Sequence, residues 1–116
     1  MEIMGVLNNV YMRELKFRAW DKKEDGMYYD ILQRPAFWDS NKFELMQYTG
    51  LKDKNGKEVY EGDILQNKNG VISEVKWDSE QSRWVSLSFG MTQKAIQRDK
   101  LFIIGNVYEN PELLSN

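Results

Sequence analysis

Apolar and polar residues alternate over several short stretches of this chain, and no stretch sustains the 3.6-residue spacing of a long helix. In Met12–Trp20, Leu15, Phe17 and Ala19 alternate with Glu14, Lys16 and Arg18, the period of a half-buried strand with a solvated charged face. The polar run Asp21-Lys-Lys-Glu-Asp-Gly26 predicts a turn, and Met27–Leu32 a returning strand, so the pair reads as a β-hairpin. Gln33–Ser40 holds Pro35 and the Asp39-Ser-Asn cluster and reads as a loop. Phe43–Tyr48 alternates again, and Thr49–Gly62 carries a tight turn at Asp53-Lys-Asn-Gly56.

Three further strands are predicted at Asp63–Gln66, Val71–Trp77 and Trp84–Phe89, separated by Asn67-Lys-Asn-Gly70 and Asp78-Ser-Glu-Gln-Ser82. Thr92–Lys100 fits a short helix or a loop equally well. Leu101–Tyr108 is an apolar strand interrupted by Gly105. Asn110-Pro-Glu-Leu-Leu114 has the signs of a helix start, with Asn110 as N-cap, Pro111 in the first turn and Glu112 favoured by the helix dipole. The expected fold is mostly β, a small antiparallel SH3-like barrel over about residues 58–108. An N-terminal β-hairpin layer and a short C-terminal helical turn complete it. Residues 1–11 are expected to be a loose N-terminal extension and residues 12–116 a single domain.

Composition narrows the chemistry. The chain of 116 residues has room for one core, and its 41% hydrophobic and 29% charged residues are those of a globular protein. It contains no His and no Cys, which excludes imidazole-based catalysis and makes a zinc site implausible. The lack of Cys also suits a reducing compartment, and no signal peptide or apolar span is visible, so a cytoplasmic location is expected. A formal charge of -2 gives the chain no overall cationic field for nucleic acid. Aromatic residues are abundant, with 4 Trp, 6 Tyr and 5 Phe, more than one small core readily absorbs.

Candidate sites are few. Asp53-Lys-Asn-Gly-Lys-Glu58 superficially suggests a calcium loop, but Gly56 comes two positions too early and no helix flanks it. Turn chemistry accounts for it better. Glu58, Glu61 and Asp63 could pair as acids, yet a Gly-Asp step more often opens a strand with the Asp accepting backbone N–H bonds. Lys16-Phe-Arg-Ala-Trp20 and Arg83-Trp84 interleave cations with aromatic rings, as single-strand-binding surfaces do, or they lie on a solvated strand. Gln93–Lys100 is the most basic short stretch and reads as a solvated face. Gly105-Asn106 and Gly50 read as backbone devices at a bulge and a turn.

Three separated motifs carry a resemblance. They are Arg13-Glu-Leu-Lys-Phe-Arg-Ala-Trp-Asp21, Met46-Gln-Tyr-Thr-Gly-Leu-Lys-Asp-Lys-Asn-Gly-Lys-Glu-Val-Tyr-Glu-Gly-Asp63 and Ile104-Gly-Asn-Val-Tyr-Glu-Asn-Pro-Glu-Leu-Leu114. Together they resemble the YopX-like family of phage and prophage proteins of Gram-positive bacteria, from Met12 to Leu114. The resemblance implies a phage origin, a β-rich fold and a bacterial host. It implies no activity and brings no catalytic residues.

The preferred expectation is a non-enzymatic protein-binding or assembly module, acting on a protein partner or by self-association, with no cofactor and no metal. Its interaction surface is expected to draw on Lys16, Arg18, Trp20, Tyr48, Tyr60, Arg83, Trp84 and Tyr108. The alternative is a phage accessory protein that binds single-stranded nucleic acid on a small β-barrel. An enzyme ranks third, because no Gly-rich phosphate loop, nucleophile elbow or metal cluster is present in the sequence.

Overall fold

In the computed structural model the described residues are 14–115, so the expected N-terminal extension lies outside them. The order along the chain is β1 (Phe17–Asp21), β2 (Gly26–Tyr29), a 3-10 turn (Pro35–Trp38), β3 (Phe43–Lys52), β4 (Glu58–Tyr60) and β5 (Asp63–Gln66). Then come β6 (Ile72–Glu74), β7 (Lys76–Asp78), β8 (Arg83–Val85), α1 (Gln93–Asp99), β9 (Phe102–Asn106) and a second 3-10 turn (Pro111–Leu114). The strands form an antiparallel four-stranded sheet in the order β2-β1-β3-β4, a three-stranded sheet β6-β5-β9 and the hairpin β7-β8. The protein is mostly β with a short helical turn at its C-terminal end, as the sequence pattern predicts, and its antiparallel strands curl into a half-barrel.

β1 is the first place where the structure goes beyond that pattern. Phe17 and Ala19 lie on one face, against Ile31, Phe37 and Phe43. The other face, expected to be solvated, is buried too: Arg18 is 3% and Trp20 8% exposed. A second layer covers it, because Gly62 and Asp63 pack beneath Arg18 and Tyr108 stacks on Trp20 with ring centroids 6.0 Å apart. A charged residue in an alternating pattern thus marks an inward position, made possible by a partner far along the chain.

Other boundaries move for local reasons. The predicted strand Val71–Trp77 is two strands, β6 and β7, broken at Val75. Val75 is fully buried, its N–H donates to the Asp63 carbonyl and its carbonyl accepts the Gly62 N–H, both at 2.9 Å. The predicted strand Trp84–Phe89 stops at Val85, since the Ser86 hydroxyl accepts the Phe89 N–H at 3.0 Å and folds the chain into a turn. Thr92–Lys100 resolves as the helix α1: Thr92 Oγ1 accepts the Ala95 N–H at 3.1 Å as an N-cap, and Lys100 ends it in the left-handed region. The expected loop at 33–40 contains a 3-10 turn that buries Phe37. Gly50 sits not in a turn but inside β3, where the pairing with β4 shifts register between Tyr48 and Lys52.

The main core gathers Val59, Leu65, Val75, Trp84, Ile96 and Leu101 from both sheets, the hairpin and α1, with Leu51, Phe89, Met91 and Ile103 packed around it. Burying each aliphatic side chain contributes about 1.5–3 kcal/mol. This cluster joins β4 and β5 to the α1–β9 segment. Among the described residues, no helix is long and apolar enough to cross a membrane.

Candidate interaction surfaces

The densest polar constellation centres on Arg18. β1 carries it toward β5, where Nη2 donates to Asp63 Oδ1 at 2.8 Å and to the Glu61 carbonyl at 3.2 Å. Nη1 donates to the Tyr29 hydroxyl at 3.4 Å, and the guanidinium carbon lies 4.7 Å from the Tyr60 ring centroid. Asp63 is held in turn: its Oδ2 accepts the Tyr60 N–H at 2.7 Å. The sharp corner at Glu61-Gly62 makes this possible. Gly62 has φ +89, and a Cβ there would sit 3.3 Å from Met46 Sδ. The anticipated role of Asp63 as a turn acceptor is therefore present, with an ion pair added to it.

Burial dominates the protonation of this cluster. It pushes the Asp63 carboxyl up, against the lowering effect of Arg18 and of the Tyr60 N–H. It pushes the Tyr60 phenol up to about 12, with Glu58 adding to the rise. Glu61 is also raised, chiefly by burial. Outside the cluster, Lys16 bonds Glu58 at 2.6 Å, which raises its ammonium above the ordinary lysine value.

Beside Arg18 lies a cleft of about 430 Å³, within the range of about 300–1,000 Å³ typical of ligand pockets. Its walls are Tyr29, β4 through Glu58 and Tyr60, and β9 through Ile103–Asn106. Asp53 fixes one end. Its Oδ1 accepts the N–H groups of Asn55 (2.8 Å) and Lys57 (2.9 Å), while Oδ2 accepts that of Ile103 (3.0 Å). Both carboxylate oxygens are thus occupied by backbone donors, which gives the turn reading of Asp53-Lys-Asn-Gly56 its physical basis. Among the described residues there is no cluster of three or more acidic side chains placed to hold a metal ion.

The eight sequence-selected residues do not form one surface. Arg18, Trp20, Tyr48, Tyr60 and Trp84 are buried. Lys16, Arg18, Tyr48 and Tyr60 do meet, through the Tyr48–Tyr60 ring contact at 5.6 Å and Lys16 over Tyr48 at 5.7 Å. Trp20 and Tyr108 make a separate pair. Arg83 is exposed, but Trp84 turns into the core and meets Trp77 edge-on at 4.8 Å. The cause is layering: Lys16 lies over the Tyr48 ring and Arg18 over Tyr60, while Trp20 packs on Tyr108 and Trp84 on the core.

The exposed apolar surface lies elsewhere. On the face of the first sheet away from Arg18, Phe17, Ile31, Leu32, Trp38 and Leu45 line an apolar groove of about 220 Å³. Trp38 is 55% exposed there, and Leu32 and Leu45 are each about two-fifths exposed. The 3-10 turn sets this up by burying Phe37 and turning the adjacent Trp38 outward.

Comparison with known proteins gives the chain its relatives. The model of the YopX protein family matches residues 16–115. The chain belongs to the YopX family. A solved structure similar to it is the crystal structure of protein EF1440 from Enterococcus faecalis, 29% identical, with a TM-score of 0.74 over 89% of this chain and 99% of that one. No curated protein matches the sequence.

In this YopX-family chain, sequence reasoning missed Tyr29 and Trp38, and it assigned Asn110 a different role. Asn110 does not cap its helical turn; its Oδ1 accepts the Asn106 N–H at 3.2 Å instead. Gly105 permits that approach, since a Cβ on it would lie 2.5 Å from Asn110 Oδ1. The Pro35-Ala-Phe-Trp38 run was a usable signal for Trp38, because adjacent aromatics in a tight turn cannot both face inward.

Proposed function

We propose that this YopX-family protein, encoded by a phage or prophage and acting in the cytoplasm of a bacterial host, is a non-enzymatic association module. It works by binding protein, in the first instance a second copy of itself. The observation that supports this reading is the groove around Trp38, an apolar surface with the large ring that dominates many interfaces. Leu15, 56% exposed just before β1, adds apolar surface to the same domain. The single-strand-binding alternative has less support. Trp20 and Trp84, the rings that would stack on bases, are covered.

Light scattering at micromolar concentration tests the reading. The wild-type protein should run above monomer mass, and Trp38→Ser combined with Leu45→Lys should return it to monomer without loss of fold. A wild type that is strictly monomeric, and that captures no host or phage protein through Trp38, would overturn it.

A further inference from the structure

The cleft beside Arg18 has two strand edges for walls. β4 ends the four-stranded sheet and β9 ends the three-stranded one, and the two do not pair with each other. Among the described residues, the bonds that fasten them lie at the extremities. At one, the Asp53 carboxylate links Lys57 to Ile103, and the Lys54 N–H donates to the Leu101 carbonyl at 2.8 Å. At the other, Asp63 takes the Tyr60 N–H and pairs with Asn106 across β5 and β9.

Strand alternation decides which main-chain groups face the gap. Asp53 N–H bonds the Lys57 carbonyl and Glu61 N–H bonds the Gln47 carbonyl. Lys52–Glu58 and Tyr48–Tyr60 are therefore the non-hydrogen-bonded pairs of the β3–β4 ladder. The N–H and C=O of Glu58 and Tyr60 must then point outward, away from β3. Tyr60 N–H is taken by Asp63, which leaves the Glu58 N–H, the Glu58 carbonyl and the Tyr60 carbonyl without a partner among the described residues. On the facing edge, Leu65–Ile103 stands to β9 as these pairs stand to β4. Ile103 gives its N–H to Asp53, and its carbonyl faces the cleft.

We propose that this cleft takes an extended peptide segment of a partner protein as an added strand along the outer edge of β4, bonded to both main-chain groups of Glu58. The Tyr60 carbonyl accepts a further N–H from the guest. Alternate guest side chains turn toward the ring of Tyr29, half exposed beside the cleft, and the main chain supplies the affinity while this ring supplies the preference. The walls carry both charge signs, Lys57 against Glu58 and Glu109, so recognition rests on the peptide backbone more than on net charge. The surface is separate from the Trp38 groove, and the proposal stands or falls independently of it.

The test is a random peptide library displayed on phage and panned against the full chain, followed by titration of the recovered peptides into isotope-labelled protein. Amide shifts should concentrate on Lys57–Tyr60 and Ile103–Asn106. Glu58→Ala keeps the edge N–H and sets the reference for loss of the side chain, against which Glu58→Pro is read. Glu58→Pro removes that outward N–H without touching the bonds to β3, and should weaken binding by about tenfold, the worth of one main-chain hydrogen bond. If Glu58→Pro loses the folded amide spectrum, N-methylation of the peptide at successive positions replaces it, with a loss of similar size expected at the residues facing Glu58 and Tyr60. Failure to recover any peptide, equal binding by the Ala and Pro variants, insensitivity to N-methylation, or shifts confined to the Trp38 groove would each overturn the proposal.

Discussion

Arg18 and Asp63 are separated by 45 positions in the chain, yet Nη2 of one lies 2.8 Å from Oδ1 of the other. Each side chain is 3% exposed. The pair joins β1 of the first sheet to β5 of the second, and it is satisfied on all sides by Glu61, Tyr29, Tyr60 and Met46. Removing both charges together from such a site costs little; stranding one is what destabilises.

That asymmetry gives the first prediction. Arg18→Met should lower the unfolding free energy by about 3–5 kcal/mol, because Asp63 keeps a buried charge without its cation. Asp63→Asn should cost a similar amount. The double variant should be no more destabilised than either single variant in urea denaturation, far short of the sum of the two. Additive losses would show that the two side chains do not act as a pair.

Asp53 yields the second. Asp53→Ala withdraws the acceptor from three backbone N–H groups at once, and should cost about 2–3 kcal/mol in the same assay. Asp53→Asn, which retains one acceptor oxygen, should recover part of it. Since both carboxylate oxygens already face donors, thermal melting should be the same in EDTA and in excess calcium. A calcium-dependent rise in melting temperature would contradict this geometry.

Gly105 gives the third. An added Cβ would meet the Asn110 side-chain oxygen at 2.5 Å, so Gly105→Ala must displace the Asn110 turn from β9. A loss of about 1–3 kcal/mol is expected, as for other forced overlaps in packed regions. Gly105→Ala combined with Asn110→Gly should recover much of it, and an absence of recovery would place the strain elsewhere.

Alkaline titration checks Tyr60. Its folded value is pushed up to about 12 by burial, above the usual 10.0 of an unfolded phenol, so between these limits the native state holds a proton that the unfolded state has released. Stability linked to this group is fully present below pH 10 and is lost as the pH climbs toward 12. Unfolding curves across that window should steepen less with pH in Tyr60→Phe than in wild type. Equal slopes would mean that Tyr60 ionises freely in the native state.

The parts of this fold that could be read from the chain are those decided by near neighbours. Asp63–Gln66 is a strand at the predicted bounds, because a Gly-Asp turn precedes it and Asn67 follows. The turns at Asp53 and Asn67 were legible for the same reason: the first side chain closes the loop on its own backbone. What alternation cannot show is whether a second layer covers the polar face. Arg18 and Lys16 look alike in sequence, yet one is buried and the other partly exposed, and the difference is Asp63. Val75 and Ser86 broke predicted strands through bonds formed only in the assembled structure or by a hydroxyl turning back on the chain. Trp38 was legible only through the Pro35-Ala-Phe-Trp38 run, since the 3-10 turn that exposes it has the composition of a loop.

The placement of β9 bears on how the protein is made. β1 to β4 each pair with a strand close by in the chain, so the first sheet can assemble while synthesis continues. β5 cannot be flanked on its second side until β9 exists, since Asp63 pairs with Asn106 and Leu65 with Ile103. Until then Leu65 and Val59 lack Leu101 and Ile103 above them. A nascent chain that has passed α1 but not reached Phe102 carries a finished sheet over an open core, the kind of half-built species that aggregates in a crowded cell. A ribosome stalled in that interval would hold a sticky product, and the core of this domain closes only once β9 has docked beside β5.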